Sequence, residues 1–316
     1  AMLRRGQTPQ AFKLSVIRSA YDEAAKDPDF AATDDCTVVL KYKPEVPVAV
    51  VPGDDRNMKV TEPIDIYIAD KLFQLTSNDV PAPSTEDGYR AALEGKTVVV
   101  FGGTYGIGAD IAQMAARYGA TVKSFSRSAT RTHVNRREDV VAARDQVLAE
   151  TGRIDYVVNT AGVLPRGLLS ETTDETIYES TEINFIGPVF VAQTFYPGLK
   201  KTGGSLLLFP SSSYTRGRAS YSLYSSAKAA TVNLTQALAD EWSEDGVRVN
   251  CVNPGRTGTP MRTKAFGKED PAGLLDSGTV AQASVDVLIS GKTGHVIDVR
   301  KIDPLSAVAL VSDVEI

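Results

Sequence analysis

Tyr224 and Lys228 are four residues apart, and on a helix that spacing puts a phenol and an ammonium on one face. A nearby cation favours phenolate, so the pair is expected to lower a phenol pKa that is ordinarily about 10. A tyrosine so placed can donate a proton to a carbonyl oxygen and act as a base in the reverse direction. Such chemistry also needs a second hydrogen-bond donor for the oxygen, a hydride source and a pocket. Taken alone, Tyr-x-x-x-Lys more often marks an amphipathic helix carrying an extended lysine than a catalytic pair. The rest of the chain decides between the two.

The elements that would position the pair begin at Ala91, where strands and helices alternate. Thr97–Phe101 is an apolar run that leads at once into Gly102-Gly103-Thr104-Tyr105-Gly106-Ile107-Gly108 and a helix over Ala109–Tyr118. Glycines between a strand and a helix allow a tight turn and close approach of a pyrophosphate to the helix N-terminus. Strands are expected at Thr121–Ser126, Ile154–Val158, Ser205–Phe209, Val247–Val252 and His295–Val299, with a helix over Glu138–Glu150. Strand–helix repetition at this spacing predicts an α/β fold, a Rossmann-like doubly wound parallel sheet. At the end of the second strand a site for NAD usually places an acid on the ribose. Here the residues are Ser126-Arg127-Ser128, and Arg127 suits a 2′-phosphate, so the expected cofactor is NADP(H). Asn184 is predicted in a helix interior, where its poor propensity points to a side-chain role.

The chain has 316 residues, 42% hydrophobic and 23% charged, with a net charge of −5. These values suit a soluble globular protein and give no reason to expect nucleic acid or an anionic membrane surface as partner. Cys36 and Cys251 lack metal-ligand spacing, and there are two histidines, His133 and His295, so no metal site is expected. No apolar run has the length of a membrane span and no secretory apolar region is seen, so the expected location is the cytoplasm.

Residues 95–300 resemble the short-chain dehydrogenase/reductases, through the glycine loop, Asn159-Thr160-Ala161-Gly162, Asn184, Ser211, Tyr224 with Lys228, and Pro254-Gly255 with Thr259. The resemblance implies a catalytic tetrad of Asn184, Ser211, Tyr224 and Lys228; Ser211, rather than Ser212, has the family's usual spacing to the tyrosine. It implies a cofactor site made by Gly102, Thr104, Tyr105, Gly106, Ile107, Gly108, Arg127, Asn159, Ala161, Gly162, Tyr224, Lys228, Pro254, Gly255 and Thr259. It also implies a homodimer or homotetramer. Phe101, Thr160 and His133 depart from the family's usual residues, and the usual Gly-Gly after the last strand is absent.

Residues 1–76 read as a partial domain: a helix over Ala11–Ala25, strands at Cys36–Tyr42 and Val46–Val51, and a helix over Pro63–Gln74. Gln7–Phe12, Thr33-Asp34-Asp35, Val51-Pro52-Gly53 and Asn57–Pro63 resemble, in order, the last third of the IspD-like cytidylyltransferases. In that family a lysine at the position of Lys59 helps bind phosphate, whereas Arg56 stands where relatives often have Asp. The family's glycine-rich CTP loop has no counterpart here, so cytidylyl transfer by this chain alone is not expected. Residues 77–90, rich in Pro and Ser, read as a linker to the catalytic domain at 91–316. The order of the two parts resembles bifunctional enzymes that make CDP-ribitol, which implies reduction of D-ribulose 5-phosphate to D-ribitol 5-phosphate. A phosphorylated ketose calls for arginines at the pocket mouth; Arg166, Arg216, Arg218 and Arg256 are the candidates, with Arg262 nearby. The other readings are a reductase of a 3-oxoacyl thioester or of a polyol or steroid-like ketone, and a dinucleotide-binding scaffold subunit without catalysis.

Overall fold

A computed structural model describes residues 6–51, 53, 57–76 and 80–301; Arg56 and Pro52 lie outside the described residues. The chain divides into two compact units, Ala1–Thr76 and Ser77–Ile316.

In the first unit α1 (Leu14–Ala24) packs on α2 (Asp35–Tyr42), and α3 (Pro63–Thr76) follows. The expected strand at Cys36–Tyr42 is a helix. Asp34 caps it, its Oδ1 accepting from the Thr37 N–H at 2.8 Å, and Val38 and Val39 are buried against Ala20 and Ala24. Cap and burial outweigh the strand preference of Thr37-Val38-Val39. The strand expected at Val46–Val51 is absent too: residues 46–51 have no regular structure, and Val46 and Val48 pack on the helix pair.

The second unit opens with α4 (Glu86–Leu93), so the segment read as linker is partly helical. Thr85 caps α4, accepting from the Gly88 N–H. Tyr89 is buried, donating to Asp286 at 2.7 Å and stacking on Tyr118. Then come β1 (Thr97–Phe101), α5 (Ile107–Arg117), β2 (Thr121–Phe125), α6 (Arg137–Thr151) and β3 (Tyr156–Asn159). The chain continues through α7 (Asp174–Thr181), a π-helical segment at Glu182–Ile186, α8 (Gly187–Thr202), β4 (Ser205–Leu208), α9 (Ser222–Glu241) and β5 (Arg248–Pro254). It closes with α10 (Pro260–Phe266), α11 (Ser277–Ile289) and β6 (Val296–Val299).

All strand pairs are parallel, in the order β2-β1-β3-β4-β5-β6. Both faces of the sheet are buried, which is why its strands read as continuous apolar runs. Val99, Phe101, Val157, Leu206, Leu208 and Val249 pack on one face against α6, α8 and α9. Val98, Val100, Val158, Leu207, Val252 and Ile297 pack on the other, against α5 and α11. A six-stranded sheet of this class commonly has two strands beyond β1 on the first side; here, among the described residues, β2 alone lies there, and residues 126–136 lead directly to α6. The direction of winding reverses between β1 and β3. That switch point opens a crevice at the carboxyl ends of the strands, where α/β proteins bind ligands. Among the described residues no helix is long and apolar enough to cross a membrane.

Candidate active site

The glycine loop lies at the switch point. Gly102 has φ +83°, and a Cβ there would meet Thr160 Oγ1 at 2.6 Å and Ala161 N at 2.8 Å. Gly108 is tighter still: a Cβ would lie 2.5 Å from Gly102 O. The loop therefore presses against both the end of β3 and the first turn of α5. Thr160, a departure from the family's usual residue, fastens the loop, its hydroxyl donating to Phe101 O at 3.0 Å. Phe101 serves the core, stacked on Phe125 and edge-on to Phe195. Gly106 precedes α5 with no side chain capping the helix, so the first N–H groups point into the crevice without a side-chain partner. Glycines that admit no Cβ and an uncapped helix N-terminus suit a dinucleotide pyrophosphate.

Thr104, Tyr105, Ile107, Arg127, Ala161, Gly162, Pro254 and Thr259 line the same cleft, together with Tyr224 and Lys228. Thr104 Oγ1 donates to Ser126 Oγ at 2.5 Å, tying the glycine loop to the end of β2. Arg127 is exposed and pairs with Glu179 at 3.4 Å. Thr259 caps α10 and packs over Gly106. Asn159 and Gly255 sit behind the wall: Asn159 Oδ1 accepts from the Ala161 N–H, and the Gly255 N–H donates to Val299 O. The cleft also includes His133, which falls where the family resemblance puts an adenine-contacting Asp, and Val134, Phe209 and Met261, which sequence reasoning missed as site residues. No local sequence signal marks Val134; it packs against Gly187, where a Cβ would come within 2.9 Å of it.

Tyr224 and Lys228 share the first half of α9. Lys228 is buried, its Nζ donating to Phe209 O at 2.8 Å and lying 5.4 Å from the Tyr224 ring centroid. Burial holds the Lys228 ammonium down to about 8. The expected lowering of the Tyr224 pKa is not found. Burial pushes the phenol up, and a hydrogen bond from Ser211 opposes this only in part. The reason is geometric: the ammonium is bound to a carbonyl and stands over the ring, while the desolvated phenol favours its neutral form. Ser211 also accepts from Ser213 N–H and Oγ–H.

Asn184 lies in the π-helical segment, fully buried. Its Oδ1 accepts from the Val163 N–H at 3.1 Å, and its Nδ2 donates to Val163 O at 2.9 Å. Both ends of the amide brace the loop after β3, and a Cβ on Gly162 would meet Asn184 Oδ1 at 3.1 Å. Arg166, Arg216, Arg218 and Arg256 are exposed and lie outside the lining of this cleft.

Two families match the chain: the short chain dehydrogenases over residues 128–270 and 2-C-methyl-D-erythritol 4-phosphate cytidylyltransferase over residues 1–75. The chain is 47% identical over 295 residues to the bifunctional ribulose 5-phosphate reductase/CDP-ribitol pyrophosphorylase of Haemophilus influenzae, covering 93% of this chain and 62% of that protein. It thus spans less than two thirds of that relative's length. It is 34% identical over 209 residues to L-fucose dehydrogenase of Oryctolagus cuniculus, covering 61% of this chain and 74% of the relative. A short chain dehydrogenase from Burkholderia cenocepacia solved in complex with NADP superposes with a TM-score of 0.60 at 27% identity, over 66% of this chain and 97% of that one. The chain belongs to the short-chain dehydrogenase/reductases, oxidoreductases that use a nicotinamide dinucleotide, and carries an amino-terminal cytidylyltransferase-like segment.

Proposed function

We propose that this protein uses NADPH to reduce a ketose phosphate, D-ribulose 5-phosphate, to D-ribitol 5-phosphate, the alcohol that a cytidylyltransferase would activate to CDP-ribitol. The observation that carries the substrate is a likeness to the bifunctional reductase that runs through both parts of the chain. Arg127 on the cleft wall supports a 2′-phosphate and hence NADPH. Its exposed pair with Glu179 is of a kind worth about 1 kcal/mol or less, so it is readily exchanged for a phosphate.

A bound reduced nicotinamide would supply the hydride. Tyr224, kept neutral by burial, donates its proton to the ketose oxygen as the carbonyl carbon is reduced. Ser211, whose one O–H rests on that phenol, turns it to the ketose oxygen and stabilises the charge developing there. Lys228, fixed on Phe209 O and standing over the ring, offers a positive field to the phenolate left behind. Asn184 acts as a positioning residue through Val163. The test is NADPH oxidation with D-ribulose 5-phosphate, unphosphorylated ribulose and an acetoacetyl thioester, repeated with NADH. The phosphorylated ketose with NADPH should be the preferred pair. Preference for the thioester would replace the substrate, and no oxidation with any of the three would leave a dinucleotide-binding subunit without catalysis.

A further inference from the structure

We propose that Arg166 and Arg218, both outside the lining of the cleft that holds the glycine loop, form a two-armed clamp for the phosphate of the substrate. The inference rests on the ketose-phosphate reading and says which of the arginines after β3, β4 and β5 carry it out. Two chains of contact lead outward from Tyr224. One runs from Ser211 to its neighbour Ser212, whose Oγ accepts from Arg218 Nη2 at 3.3 Å. The other runs through Tyr221, 6.5 Å from Tyr224 between ring centroids, to Phe266 at 6.3 Å from Tyr221. The Arg166 guanidinium lies 4.6 Å from the Phe266 centroid.

The two loops that bear these arginines are joined by one backbone bond, from the Gly167 N–H to Ser220 O at 2.9 Å. Ser220 has φ +69°, a left-handed conformation that a serine seldom adopts. Backbone held in a disfavoured region near a reaction centre is a mark of functional constraint. Here it brings the Arg166 loop and the Arg218 loop into register.

The remaining arginines are otherwise engaged or unaimed. Arg262 also stacks on Phe266, but Glu269 holds its guanidinium through two bonds, at 2.6 and 2.8 Å. Arg256 adds its charge to the same carboxylate. Arg216 is exposed, and no described side chain aims it. Arg166 uses one N–H on Ala265 O at 2.8 Å, and Arg218 uses one on Ser212; neither meets a carboxylate among the described residues. Both keep donors free in a planar fork that suits phosphate oxygens. In a protein with net charge −5, two cations without a carboxylate partner among the described residues, on the loops linked to Tyr224 through Phe266 and Ser212, would make a local field that selects an anionic substrate.

The experiment compares kcat/KM for D-ribulose 5-phosphate with that for unphosphorylated ribulose in the wild type, Arg166→Met, Arg218→Met and the double variant. Cofactor binding, followed by nicotinamide fluorescence, reports that each variant is folded. The ratio should fall at least tenfold in each single variant and further in the double, chiefly through KM, while Arg256→Met leaves it within about threefold. Inorganic phosphate should compete with the ketose phosphate in the wild type and lose that competition in the double variant. A wild type that favours the phosphorylated ketose, with both single variants keeping that preference, overturns the clamp alone. A wild type that does not distinguish the two ketoses overturns the substrate reading and the clamp with it.

Discussion

At Tyr224 burial favours the neutral phenol, the form that the proposed carbonyl reduction consumes. Tyr224→Phe should cut turnover by at least a thousandfold and leave the cofactor dissociation constant within about threefold, because the ring stays and only the proton-donating hydroxyl is lost. Steady-state rates and a fluorescence titration on one preparation check both halves. Lys228 has the opposite problem. Burial lowers its pKa from an ordinary lysine value to about 8, so between pH of about 8 and about 10.5 the unfolded chain binds more protons at this site than the folded one. Stability from this group therefore rises with pH across that window, by at most about 3 kcal/mol. Relative to Lys228→Met, the wild type should gain in Tm as pH is raised from about 7.5 to about 9.5. Other groups, such as the buried Cys251 thiol that is pushed up to about 12, are common to both proteins and cancel. A difference independent of pH would contradict the buried, partly neutral amine.

At the scale of elements, the join between the glycine loop, α5 and the end of β3 decides whether a cofactor fits. Gly108→Ala puts a methyl group within 2.5 Å of Gly102 O and of Thr160 Oγ1, and a backbone carbonyl has little room to yield. The variant should bind NADPH at least tenfold more weakly and lose about 1–3 kcal/mol of stability, read by fluorescence titration and urea unfolding. This region was well legible in the sequence. Thr97–Phe101 is a strand at the residues expected, and the helix after it starts at Ile107 instead of Ala109, because apolar run, glycines and amphipathic helix all agree. Cys36–Tyr42 was not legible: its β-branched residues favour a strand, and only the Asp34 cap and the burial of Val38 and Val39 make it a helix. In the segment read as linker, Ser84-Thr85-Glu86-Asp87 held a capping signal that Pro and Ser content obscured. Arginine partners were least legible. Nothing local says that Glu269 captures Arg262 and leaves Arg166 and Arg218 with free donors. The same holds for the raised pKa of Tyr224, which comes from burial by distant segments.

For the whole molecule, the cytidylyltransferase-like segment and the reductase lie on one chain and are separate compact units. On the proposed reading they stand at consecutive steps: a polyol phosphate made by one is the substrate class that the other family activates. Among the described residues of the reductase a single strand lies beyond β1, and the crevice between β1 and β3 holds the glycine loop and the tyrosine–lysine pair. The most direct test of the central claim is the reaction run backwards, with D-ribitol 5-phosphate and NADP⁺ given to the purified protein. Reduced nicotinamide should appear with an equal amount of D-ribulose 5-phosphate, and neither should appear with ribitol or with Tyr224→Phe. Production of reduced nicotinamide at the same rate from unphosphorylated ribitol, or none from ribitol 5-phosphate at any pH between about 7 and about 10, would contradict it.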